Sequence, residues 1–421
     1  MKDSVVFVSY IFPPYNSIAA QRSVKLVGFF LQYFETVYVL KLADKDIPKK
    51  KIDRQYNNLY ANNPRVKIID IPLKSFGYED PKLASLPGKL ISGFLTRVLC
   101  SNGYFWLSPL RQTIEQLVKA YNISLLFVSG PPFLPFFVAK KIKEKFNIPY
   151  IIDYRDLWTT NPRTPAFGIA RKIIGTRFEK KILLNAKAVL TVSTGCARSL
   201  STFSRVTRLP LHVIMNIPDK KYNDLFLQGI SLRVKNNNLC RLVLTGSIYP
   251  NCTFWPILDI MSRMASSEKN RFVFCYCGPS SALVKKEFEQ YGFATQLIDR
   301  GMLTKDEAIK ELYQADVLVS LIDDGKRKFD DTIAGLMTTK IFDYFLSGKK
   351  ILNIGPKVSD VNTFAYDIKY TDYFSFEAQD REGIKYFLLD CLENNLNDHS
   401  QNNELSMPFF ENYHATLANL I

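Results

Sequence analysis

The sequence predicts an α/β protein built from two doubly wound parallel sheets, and three observations carry that prediction. Short β-branched apolar runs alternate with amphipathic stretches along most of the chain, the order that places helices on both faces of parallel sheets. The runs are apolar throughout rather than at every second residue, as strands buried on both faces require. The alternation also restarts after a polar interval, Asn216 to Asn238, which divides the 421 residues into two domains of ordinary size.

In order, the first half offers strands at Val5–Ser9, Thr36–Leu40, Val66–Ile71, Leu125–Val128, Tyr150–Ile152 and Ala188–Val192. Helical spacing of apolar residues places helices at Gln21–Phe34, Arg111–Ala120, Phe136–Phe146 and Ile173–Asn185. The second half offers strands at Arg241–Thr245, Phe272–Cys277, Ala294–Leu297, Val317–Leu321 and Lys350–Ile354, with helices at Lys305–Tyr313 and Thr339–Leu346. The expected domains are 1–216, 217–400 and a tail, 401–421, read as a helix packing back on the first domain. Two such domains facing each other make a cleft at the C-terminal ends of their strands, where open α/β sheets bind ligands.

Composition narrows the function classes. Residues 1–215 hold 32 Lys and Arg against 13 Asp and Glu, a net of +19; residues 216–421 hold 23 against 27, a net of −4, which together give the +15 of the chain. The basic half is expected to meet something anionic, with a solvated basic surface as the alternative. A nucleic acid is disfavoured because no dense Lys/Arg run with interleaved aromatics occurs; an anionic membrane surface fits better. The stretch from Leu83 to Leu99, followed by Tyr104-Phe105-Trp106, suits either a membrane-surface segment or an interior helix with an aromatic loop. Seven cysteines are scattered, and neither they nor His212, His399 and His414 show zinc-ligand spacing, so no metal is expected. Cys275 and Cys277 share one face of a strand. The cysteines read as buried free thiols of a reducing cytoplasm. No signal core precedes Pro13-Pro14, and no uncharged run reaches the ~18 residues of a spanning helix.

The segment from Asp316 to Pro356 carries the chemistry. A strand, a polar loop and a helix opening at Thr338-Thr339 make an anion site from free N–H groups and the helix dipole. Lys340 in the first turn opposes that dipole, and a phosphate partner explains it. Asp343, one turn on, is placed to accept the hydroxyls of a ribose; a surface Lys–Asp pair is the alternative. The run Lys340-Ile341-Phe342-Asp343-Tyr344-Phe345-Leu346-Ser347-Gly348-Lys349-Lys350-Ile351-Leu352 resembles the "Lys-Leu-Phe-Glu-Tyr-Leu-Ala-x-Gly-Lys-Pro-Ile-Leu" pattern of family-four glycosyltransferases with the GT-B fold, found in bacterial polysaccharide synthesis. Leu244-Thr245-Gly246-Ser247-Ile248-Tyr249 is similar to the start of their C-terminal domain. The resemblance implies donor contacts from Gly246, Ser247, Thr339, Lys340, Asp343 and Tyr344. Of the family's two flanking Glu positions, the second maps onto Asp343 and the first onto Gly335, which has no side chain; Asp330 or Asp331 are the substitutes available from the loop.

The first half follows the same family. Ser9 to Pro14 with Ala20-Gln21-Arg22, Val128-Ser129-Gly130-Pro131-Pro132, and Asp153-Tyr154-Arg155-Asp156-Leu157-Trp158 match its loop patterns in order. Arg22 is placed to meet a phosphate, or else is an exposed first-turn residue. Arg155 is expected to keep Asp153 and Asp156 ionised, so that one of them takes a proton from an acceptor hydroxyl; an Asp–Arg–Asp cluster fixing the loop is the alternative. The resemblance implies transfer of a sugar from a UDP- or GDP-sugar to a glycan or a lipid-diphosphate-linked acceptor. It further implies retained anomeric configuration and no cofactor or metal, in a cytoplasmic enzyme peripheral to the inner face of the plasma membrane. A sugar-nucleotide epimerase and a nucleotide-sugar-binding subunit without turnover are the competing readings.

Overall fold

A computed structural model describes residues 3–52, 60, 62–73, 103–161, 175–204, 210–216, 239–248, 253–322, 335–394, 416, 418 and 419. The chain divides into two compact units, Met1–Asn216 with Phe410–Ile421, and Ile217–Phe409.

The first unit holds a seven-stranded parallel sheet of β1 (Ser4–Ser9), β2 (Thr36–Leu42), β3 (Val66–Ile71), β4 (Ile123–Gly130), β5 (Tyr150–Tyr154), β6 (Ala188–Thr191) and β7 (Leu211–Val213), in the order β3-β2-β1-β4-β5-β6-β7. Its helices are α1 (Ile18–Phe30), α2 (Leu107–Ala120), α3 (Pro135–Phe146), α4 (Thr176–Asn185) and α5 (Thr194–Ser204). Alternation along each strand feeds two separate cores. Val6, Val8, Leu126, Ile152 and Tyr154 face the side covered by α2, α3 and α4. Val5, Phe7, Phe127 and Ile151 face α1. The helix α1 starts at Ile18, ahead of the expected Gln21, because the side chain of Ser17 accepts from the backbone of Ala19 and caps it. It ends at Phe30 rather than Phe34.

The second unit holds a six-stranded parallel sheet of β8 (Cys240–Thr245), β9 (Phe272–Cys277), β10 (Leu297–Asp299), β11 (Val317–Leu321), β12 (Lys350–Ile354) and β13 (Tyr373–Phe376), in the order β10-β9-β8-β11-β12-β13. Its helices are α6 (Trp255–Ser262), α7 (Ser266–Lys269), α8 (Ser281–Gln290), α9 (Lys305–Tyr313), α10 (Thr339–Leu346), α11 (Asp360–Asp367) and α12 (Arg381–Asn394). The third strand of this half lies later than the expected 294–297. Residues Ala294–Gln296 form a tight turn closed by Gln296 N–H to Phe293 O (3.0 Å), and pairing with β9 begins only at Leu297.

Trp106 belongs to the first core. It is fully buried, and its Nε1 donates to Ile71 O at 3.0 Å. The membrane reading of that aromatic cluster is therefore corrected at Trp106, while residues 83–99 lie outside the described residues, as does most of the 401–421 tail. No helix among the described residues is long and apolar enough to cross a membrane. Cys196, Cys240, Cys275, Cys277 and Cys391 are all buried.

Candidate functional site

In both sheets the connections reverse direction between two neighbouring strands, and the crevice beyond their C-terminal ends is where such sheets hold ligands. In the second unit those strands are β8 and β11. Gly246, directly after β8, has φ +87°, a conformation that side chains disfavour. Its N–H donates to Cys277 O at 2.7 Å, and its carbonyl accepts from the Tyr276 hydroxyl at 2.9 Å. A Cβ on Gly278 would lie 2.3 Å from Gly246 O, so the two loops approach this closely only with glycine there. Ser280 completes the turn: its N–H donates to the Tyr276 hydroxyl at 2.8 Å, and its Oγ pairs with the backbone of Ile248.

The helix α10 brings its first turn to the same place. A Cβ on Gly246 would be 3.8 Å from Lys340 Cδ, so the lysine stem runs beside the glycine. Thr338, the N-cap, makes no side-chain cap bond; its Oγ1 is buried with no hydrogen-bond partner among the described residues, and no acid occupies the first turn. The sequence-predicted contacts Gly246, Thr339 and Lys340 are thus brought together at one strand end and one helix start, and Ser247 follows, exposed.

Two further residues expected at the donor have partners within the second unit. Tyr344 is fully buried, and its hydroxyl accepts from Thr245 N–H at 2.9 Å. It ties α10 to the end of β8, and burial pushes its phenol pKa up. Asp343 accepts from Lys305 Nζ at 2.5 Å, an ion pair that ties α10 to α9. Beside them, Cys275 and Cys277 bring their sulfurs to 3.8 Å, and the Cys275 thiol also points at Glu311 Oε2, 3.5 Å away. No group of residues fit to hold a metal ion occurs among the described residues.

In the first unit the reversal lies between β1 and β4. Here the structure corrects the reading of Arg22 and Asp153. Arg22 is 4% exposed and Asp153 is fully buried. Asp153 shares the α1 side of β5 with Ile151, two residues earlier, and there it meets Arg22. Arg22 Nη2 donates to Asp153 Oδ1 at 2.7 Å, and Nε lies 3.1 Å from Oδ2. Ser129 Oγ donates to the same carboxylate at 2.7 Å, while Arg22 Nη1 donates to Ile214 O at 2.7 Å and Asn216 Oδ1 at 3.0 Å. The partner of Asp153 is therefore Arg22, and Arg22 is no exposed phosphate contact.

Arg155 instead binds the proline loop. Its backbone N–H and Nε donate to Gly130 O at 3.0 and 3.1 Å, and Nη2 donates to Pro131 O. Burial lowers its pKa to about 10 against the upward pull of Asp153 and Asp156. Of the two carboxylates proposed from the sequence, Asp156 alone is exposed.

No family model matches the sequence, and no curated protein matches it. Solved structures do. A sucrose-phosphate synthase from Thermosynechococcus elongatus is similar at 10% identity and a TM-score of 0.62, over 99% of this chain and 94% of that one. HepE from Anabaena, solved in complex with UDP and glucose, is similar at 12% identity and a TM-score of 0.57, over 99% and 95%. The lipopolysaccharide outer core galactosyltransferase WaaB is similar at 10% identity and a TM-score of 0.59, over 99% and 100%. The chain has the GT-B fold of these glycosyltransferases.

Proposed function

We propose that the chain is a glycosyltransferase that moves a sugar from a nucleoside-diphosphate sugar to a glycan or lipid-linked glycan in cell-surface polysaccharide synthesis. One observation carries the reading. At the reversal point of the second sheet, Gly246 in a left-handed conformation lies against the stem of Lys340, in the acid-free first turn of α10. Backbone N–H groups, a helix dipole and an ammonium group converging on one spot suit a diphosphate. In this reading they offset the charge that develops on the nucleoside diphosphate as it leaves. UDP heads the list of donors to test, with GDP second, since HepE was solved with UDP.

In the first unit, Asp156 is the exposed carboxylate for the acceptor hydroxyl, while Arg22, Asp153 and Arg155 hold the loops around it. Retention of configuration and independence of metals belong to the proposal through the family resemblance. The cytoplasmic, membrane-peripheral location follows from the lipid-linked acceptor and from the charge of residues 1–215. A second reading, a nucleotide-sugar-binding subunit without turnover, is favoured by Gly335, which offers the donor sugar no carboxylate.

The test is release of UDP or GDP from a panel of sugar nucleotides with lipid-linked and glycan acceptors. Lys340→Ala is expected to lower kcat/KM by about 10- to 100-fold, the range of a lost hydrogen bond to a charged group. Full activity in that variant contradicts the role of Lys340. Nucleotide binding without release under any acceptor supports the second reading instead.

A further inference from the structure

The outer face of α4 has a composition that the transfer reaction does not use. At 100° per residue, Lys180, Leu184, Arg177, Lys181 and Phe178 fall on one arc of about 160°. Phe178 is 43% exposed and Leu184 60%, and Arg177 and Lys181 are exposed between them. The opposite arc, with Ile182 and Leu183, is buried. The helix has a single acid, Glu179, and it is turned away from this face: it is fully buried and accepts from Thr159 N–H and Oγ1. The neighbouring α3 extends the surface. Phe137 meets Phe178 edge-on at 5.3 Å, and Lys141 follows Phe137 by one turn. Among the described residues Lys141, Arg177 and Lys181 have no ion-pair partner, whereas Lys140 and Lys145 pair with Glu144 and Glu115. The sequence shows the same bias around the helix: from Trp158 to Lys187 it carries seven basic residues against Glu179 alone.

We propose that the outer face of α4, with Lys141 of α3, docks the protein on an anionic phospholipid surface. Cations without partners suit lipid phosphate, and large apolar side chains set among them suit the boundary between headgroups and acyl chains. A nucleic-acid backbone gives no use to Leu184, the more exposed of the two apolar residues. The choice of lipid rests on the lipid-linked acceptor proposed above, and the surface itself rests on α3 and α4.

Sedimentation of the full chain with vesicles tests the proposal. Wild-type protein is expected to partition onto mixed phosphatidylcholine–phosphatidylglycerol vesicles and not onto phosphatidylcholine alone. Arg177→Glu combined with Lys181→Glu is expected to lower that partition about tenfold or more, with unfolding temperature and UDP binding unchanged. Leu184→Trp provides a positive readout: its fluorescence should shift to the blue on the mixed vesicles. Equal partition of the charge-reversed variant, no shift from Leu184→Trp, or equal retention of wild type on DNA at matched salt overturns the docking surface. Vesicle binding without nucleotide binding leaves the surface standing and removes the transferase reading; nucleotide binding without vesicle binding does the reverse.

Discussion

Arg22 and Asp153 are separated by 131 positions and form a buried ion pair with nearly every polar atom engaged. Removing one partner of such a pair leaves an uncompensated buried charge. Arg22→Ala is therefore expected to cost about 3–5 kcal/mol, while an apolar replacement of both residues with matched volume costs much less. Chemical denaturation of the single and double variants measures this, and a single variant as stable as wild type contradicts the structural task given to the pair. Tyr344 is a second case. Tyr344→Phe leaves the buried N–H of Thr245 without its acceptor, at about 1–3 kcal/mol; unchanged stability would show that this hydroxyl does not hold the β8 end. At this scale the sequence was partly legible. The proximity of Gly246 and Lys340 follows from motifs that each name a phosphate contact. The Arg22–Asp153 pair is not legible there, because Arg155, two residues away in sequence, is the nearer partner along the chain. The signal was the parity of the strand: Asp153 faces the same side as Ile151, and that side is covered by α1.

At the scale of elements, the loops after β8 and β9 lie close against each other. Gly278→Ala forces a methyl group against Gly246 O, a backbone atom 2.3 Å away. Overpacking of this kind costs about 1–3 kcal/mol, and here it also moves the glycine that lies beside Lys340. The expected result is a lower unfolding midpoint together with weaker nucleotide binding; a loss of stability with binding unchanged would separate this loop from the site. The long central strands were legible because they are buried on both faces and read as unbroken apolar runs. The edge strands β7 and β13 were not. Their residues are only half-buried, so their runs carry no comparable apolar signal. The expected start of α1 lay too late because the cap at Ser17 precedes the apolar spacing from which the helix was read.

At the scale of the whole molecule, the charge divides as the fold does: the basic half of the sequence holds the first sheet, and the slightly acidic half holds the second. The fold class was legible from alternation alone. The task of each half was not, because composition names the sign of a partner and not its chemistry. The central claim is that the second unit binds the diphosphate of a sugar nucleotide through Gly246, Lys340 and the start of α10. Thermal unfolding of the full chain with UDP and GDP, for wild type and Lys340→Ala, tests it most directly. Nucleotide at about 100 times its dissociation constant should stabilise the wild type by about 2.7 kcal/mol and the variant by much less. Equal stabilisation of both, or no response to any nucleoside diphosphate, contradicts it.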